Sequence, residues 1–131
     1  MTKVVSLSRL LAIRYTLDPA HVIVLATGAF DILHAEHKKF LLAAKRVGDI
    51  LIVGLESDKR VRQLKGSTRP VNPLKNRLRN MVDLNIADFV FELPQNLGTQ
   101  RGREDLIKKL HPHTLAVSRN TPNLLEKRRI M

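Results

Sequence analysis

The stretch Val22-Ile23-Val24-Leu25-Ala26-Thr27-Gly28-Ala29-Phe30-Asp31-Ile32-Leu33-His34-Ala35-Glu36-His37 decides the fold. Its first five residues form a continuous apolar run with β-branched members, as expected of a strand buried on both faces. Thr27-Gly28 should break that strand. A helix should then run from His34 to Val47, with Phe40, Leu41 and Ala44 at helical spacing and Gly48 at the C′ position. The unit is strand, glycine turn, helix.

The same alternation continues on both sides. Upstream, Leu7, Leu10, Leu11 and Ile13 predict a short amphipathic helix over residues 6–17, ended by Asp18-Pro19. Downstream, Ile50–Leu55 reads as a second buried strand. Ser57-Asp58 then supplies the N-cap of a helix carrying Val61 and Leu64. Lys65–Asn72 is a loop, and Pro73 opens a helix carrying Leu74, Leu78, Met81 and Val82. Phe89–Leu93 is a third strand, Pro94–Thr99 a loop, Arg103–Leu110 a helix, and Leu115–Val117 a fourth, short strand. Thr121-Pro122 opens a last helix that runs to Met131. Such alternation argues for an α/β fold, with a mainly parallel sheet covered by helices on both faces. Ligands of such sheets bind outside the carboxyl ends of the strands. Residues 27–37 are therefore the first candidate site. The chain reads as a single domain over residues 1–131, with residues 1–21 as an N-terminal helical extension.

Composition narrows the partners. The chain has 131 residues, 44% of them hydrophobic, which suffices for one domain's core. It lacks cysteine, so disulfides and thiolate metal sites are excluded. The start lacks a secretory apolar region, and no apolar run reaches transmembrane length. A cytoplasmic protein with no membrane partner is expected. Twenty-three basic residues against 12 acidic ones give a formal charge of +11, which favours polyanionic partners. Nucleic acid is one such partner, and a triphosphate with a phosphorylated acceptor is another. Aromatics are only 4%, with Tyr15 the one tyrosine and no tryptophan, which is poor material for stacking bases. The cations are also spread along the chain, so nucleic acid is the less favoured partner.

The candidate site has a chemistry of its own. Gly28 lets the backbone turn tightly and approach a ligand. The free amides and dipole of the helix that opens near His34 favour phosphate. His34 and His37, three apart, share one face of the first turn. Imidazoles there can donate to phosphate oxygens and stabilise charge as pyrophosphate leaves. No nucleophilic side chain is needed if the acceptor brings its own phosphate oxygen. Spacing alone leaves two alternatives, an incidental pair on a solvated helix or half of a metal site. No third histidine stands at ligand spacing, and no metal residue is assigned. Lys65 and Arg69 read equally as a solvated basic loop. Asp31 reads as a cap or turn residue, and Phe30 as core. His21, His111 and His113 receive no chemistry.

Residues 28–37 resemble the signature Gly-x-Phe-Asp-x-x-His-x-Gly-His of the cytidylyltransferase-like nucleotidyltransferases. The similarity continues through residues 43–54, Ser57-Asp58, Leu64-Lys65-Gly66-Ser67-Thr68-Arg69-Pro70-Val71-Asn72-Pro73 and Arg77. It covers residues 22–131. The resemblance implies a three-layer, Rossmann-like nucleotidyltransferase fold. It implies transfer of a nucleoside monophosphate from CTP or ATP to a phosphorylated small-molecule acceptor, with Mg²⁺ accompanying the triphosphate. Thr27, Gly28, Ala29, Phe30 and Asp31 would then border the nucleotide, with Arg77 assisting. His34, His37 and Lys65 would carry the catalysis. A homodimer is implied as well. The alternatives are a catalytically degenerate nucleotide-binding relative and a basic nucleic-acid-binding protein.

Two departures bear on these expectations. Glu36 stands where the signature has glycine, bringing bulk and negative charge near phosphates. It is expected to weaken triphosphate binding. The second departure is a C-terminally short fold. The family's further strand and Ser-Thr-Thr-type helix start have no counterpart before Met131. An open sheet edge, self-association and poor turnover by this chain alone are expected from that.

Overall fold

The computed structural model describes residues 1–117. The elements, in chain order, are β1 (Lys3–Val4), α1 (Leu7–Arg14), β2 (Ile23–Gly28), α2 (Ala35–Arg46), β3 (Ile50–Leu55), α3 (Asp58–Lys65), α4 (Leu74–Leu84), β4 (Phe89–Glu92), α5 (Gln100–Leu110) and β5 (Thr114–Ala116). A 3₁₀ turn, Gln95–Gly98, precedes α5. The strands form one parallel sheet in the order β1-β4-β3-β2-β5.

The apolar runs follow from burial on both faces. Side chains alternate between the faces of a strand. Val24 and Ala26 of β2 pack with Leu41, Ala44 and Met81 on the side of α2 and α4. Ile23 and Leu25 pack with Leu10, Leu106 and Leu110 on the side of α1 and α5. Helices thus cover both faces, giving the three-layer α/β architecture expected. From β2 the chain adds β3 and then β4 outward, and crosses back to place β5 on the other side of β2. The order reverses at β2, so the crevice lies at the carboxyl ends of β2 and β5.

Several local expectations change. Thr27 and Gly28 continue β2, pairing with Gly54 and Leu55, rather than breaking it. Gly48 does not take the left-handed conformation of a C′ glycine. It is needed for close approach, because a Cβ there would sit 2.6 Å from Val24 Cγ2 and 2.8 Å from the Val22 carbonyl oxygen. The N-terminal extension supplies a strand as well as a helix. The amides of Lys3 and Val5 donate to the carbonyls of Asp88 and Val90, both at 3.0 Å. Two residues are too few for any periodicity to announce β1. Leu10, 1% exposed, anchors α1 in the core. Ser57 caps α3 as expected, its Oγ accepting from the Arg60 amide at 3.1 Å. The expected helix from Thr121 lies outside the described residues. Among the described residues β5 pairs only with β2.

Candidate active site

The site is built on the turn between β2 and α2. Phe30 sits there with a φ of 46°, a left-handed conformation uncommon for residues other than glycine. Its ring is buried, 6.4 Å from the Phe40 ring and edge-on to His37 at 5.4 Å. A Cβ on Gly28 would come within 2.9 Å of Phe30 Cε2. Glycine at 28 therefore makes room for the ring, and the ring supports His37. Phe30 is core, in keeping with the simpler reading of its sequence position.

His34 is the N-cap of α2 rather than a member of its first turn. Its Nδ1 accepts from the Glu36 amide at 3.2 Å. In the neutral ring the proton then resides on Nε2, which becomes an outward donor. The His34 and His37 rings stack with centroids 3.9 Å apart and 19° between their planes. His37 is partly buried, and its Nδ1 meets no hydrogen-bond geometry. Burial pushes the His37 pKa below its usual 6.5, and the nearby His34 and Lys65 push the same way. The Ile32 backbone favours the charged ring but is outweighed. The two imidazoles and the amino end of α2 together offer donors and positive potential at one place. Such an arrangement suits an anion.

Behind the turn lies a buried polar framework. Asp31, 3% exposed, accepts from the amides of Val71 and Asn72, both at 2.8 Å, and from Arg69 Nη1 at 3.3 Å. The Asn72 side chain returns a bond to the Asp31 carbonyl at 2.6 Å. Burial alone would raise the Asp31 pKa. The bonds from Asn72, Val71 and Arg69 outweigh it and hold the carboxyl below its usual 3.8. Arg77, 1% exposed, donates to the carbonyls of Ala29 (3.0 Å), Glu56 (2.7 Å) and Asn72 (2.9 Å), and to Asp58 Oδ1 (2.6 Å). It ties together the segments that follow β2, follow β3 and precede α4.

This geometry places the expected residues in two groups. His34 and His37 come together, with Lys65 of α3 close enough for its charge to act on His37. Thr27 and Gly28 close β2, and with Ala29 they make the floor of the proposed site. Asp31 and Arg77 stand behind that floor with most of their hydrogen-bonding capacity used. These bonds leave each of them little capacity for the ligand contact that the resemblance implies. The sequence reading gives Asn72 and Asp58 no site role. Asn72 meets Asp31 across 41 positions of sequence, a separation no local spacing signals. Glu36 is exposed and pairs with Lys39 at 3.5 Å. At about 100° per helical residue, Lys39 and His37 lie on nearly opposite sides of Glu36. His113 is structural, its Nδ1 accepting from the Ile23 amide at 3.0 Å.

Known proteins resemble this chain in sequence and in fold. The bifunctional protein HldE of Campylobacter fetus is 38% identical over 113 residues, covering 86% of this chain and 23% of that protein. Its counterpart in Campylobacter curvus is 43% identical over 93 residues, covering 71% of this chain and 19% of that protein. The chain thus spans about a fifth of the length of these curated relatives. A solved lipopolysaccharide core biosynthesis protein from Thermoplasma volcanium superposes with a TM-score of 0.61 at 27% identity, covering 73% of each chain. The pantoate-beta-alanine ligase of Francisella tularensis shares the fold alone, with a TM-score of 0.64 at 16% identity, covering 88% of this chain and 56% of that one. Fold and similarity together define a nucleotidyltransferase-type α/β domain. The cytidylyltransferase-like family model matches residues 25–128, and the chain belongs to that family.

Proposed function

We propose that the site transfers a nucleoside monophosphate from ATP or CTP to a phosphorylated small-molecule acceptor, a sugar phosphate being the favoured class. A phosphate oxygen of the acceptor attacks the α-phosphorus of the triphosphate. The new P–O bond forms as the bond to the bridging oxygen breaks, and pyrophosphate leaves with that oxygen's electrons. The stacked pair His34 and His37 at the amino end of α2 carries this reading. His34 Nε2–H would donate to the phosphates, and His37 would face the charge that grows on the leaving group. Lys65 would supply a cation on the other side, to the acceptor phosphate or the triphosphate.

Magnesium is expected only as part of the metal–triphosphate substrate, where it neutralises charge. Among the described residues no three histidines, aspartates or glutamates cluster to hold a metal. The carboxylate of the motif, Asp31, is committed to Arg69, Val71 and Asn72. A protein-held ion does not fit these residues, and no step is assigned to one. Among the described residues no helix is long and apolar enough to cross a membrane. A cytoplasmic location, where nucleoside triphosphates are made and used, suits this reading.

The test has two stages. ATP or CTP with Mg²⁺ should raise the melting temperature of the chain. No shift with any nucleoside triphosphate would end the nucleotide reading. A pyrophosphate-release assay with sugar phosphates should then show turnover. Binding without release would favour the degenerate, nucleotide-binding alternative that Glu36 suggests. Self-association is tested by light scattering over a concentration series, and a monomer throughout would end that proposal.

A further inference from the structure

We infer that the open edge of β1 docks an extended, acidic segment of a partner polypeptide. Among the described residues β1 pairs only with β4, at the end of the sheet. In a parallel strand successive residues turn their backbone groups to opposite sides. Lys3 and Val5 direct their amides to β4, so the amide and carbonyl of Val4 face outward. An open edge of this kind templates an added strand.

Two grooves flank this edge, one on each face of the sheet. Val5, Ile13 and Phe89 line the groove on the α1 side. Val4, itself 52% exposed, lines the α4-side groove with Leu74 and Leu78. An added strand sends alternate side chains to the two faces. Two neighbouring apolar residues of such a strand would therefore each find a groove.

Charge selects the occupant. Lys3 and Arg9 border the first groove, Lys75 and Arg79 the second, and no acidic residue lines either. A second copy of the chain paired edge to edge would set these cations against their own kind, which is unfavourable. A partner with acidic residues on either side of an apolar pair meets the same cations favourably.

The test uses the full chain and a fluorescein-labelled, acetylated peptide, Glu-Asp-Val-Ile-Glu-Asp, read by anisotropy. The peptide should bind, and raised salt should weaken it. Methylating its two central amide nitrogens should abolish binding, because the strand's donors are then lost. The double variant Lys3→Glu/Arg79→Glu should weaken binding by about tenfold or more with an unchanged melting temperature. No binding of the acidic peptide overturns the inference. So does equal binding of a lysine-flanked version, or an unaltered affinity in the double variant. A dimer in light scattering that the double variant dissolves would also overturn it, by making a second copy the occupant.

Discussion

Arg77 donates to the backbone carbonyl of Ala29 at 3.0 Å, from behind the turn that carries the two histidines. The same guanidinium reaches the carbonyls of Glu56 and Asn72 and the carboxylate of Asp58. A buried cation is tolerated only when its donors are largely met, and here four bonds reach three separate segments. The arginine fixes where β2 ends relative to α3 and α4. It thereby fixes where His37 and Lys65 stand relative to each other.

Removing that brace should be costly. Arg77→Met leaves buried acceptors unpaired and should lower stability by about 3–5 kcal/mol in urea unfolding. Arg77→Lys should recover little, because one compact ammonium cannot span acceptors that a planar fork reaches. A methionine variant that unfolds at the parent's midpoint would remove the bracing role.

His37→Ala should act on chemistry more than on folding. The ring stacks on His34 and touches Phe30, so its loss leaves a small, partly exposed gap. Turnover in a pyrophosphate-release assay should fall by about a hundredfold or more, while the melting temperature changes little. Equal turnover in variant and parent would exclude a catalytic role for the ring.

His37 should titrate below its usual 6.5, because burial, His34 and Lys65 disfavour its charged form. A depressed histidine pKa means that the unfolded chain binds the proton more readily. Its effect on stability is absent above about pH 6.5 and grows as pH falls toward the folded pKa. Stability should therefore drop over that interval and level off below it. NMR titration of the ring gives the midpoint directly. It should rise in Lys65→Met, which removes a repelling charge, and rise again when a triphosphate binds. A midpoint at or above 6.5 in the free parent would contradict this environment.

Glu36→Gly distinguishes the sequence expectation from the geometry. The missing signature glycine predicts that the variant binds triphosphate more tightly. With the carboxylate turned toward Lys39, calorimetry should instead give an affinity within about threefold of the parent. Glycine in the first turn should also cost up to about 1 kcal/mol of stability. A much larger gain in affinity would show that the carboxylate does reach the nucleotide.

What was legible in the sequence was local. The apolar run Val22–Ala26 read as a strand buried on both faces because it leaves no polar face for water, and Ile23–Ala26 are buried in β2. The alternation of strands and helices then pointed to a parallel sheet, which the five strands form. Spacing alone put His34 and His37 within reach of each other, and they are stacked. It could not name partners that lie far away in sequence. Gly48 does stand just past the end of α2, as its position suggested, and its lack of a side chain also serves Val22 and Val24. Asp31 read as a cap or turn residue, and only the resemblance gave it and Arg77 a place near the nucleotide; nothing near them in sequence names Asn72, Asp58 or the Glu56 carbonyl as their partners.

The sequence by itself determined most of the order of elements, the class of fold and the segment to propose for the chemistry, because periodicity and turn residues act over a few neighbours. Only the tertiary structure decided which polar side chains are consumed in holding the turn and which stay open to a ligand. Burial and hydrogen bonding depend on what the fold brings together across tens of residues. Asp31 and Arg77 spend most of their bonds within the protein, whereas His34 caps a helix with one nitrogen and is exposed to solvent.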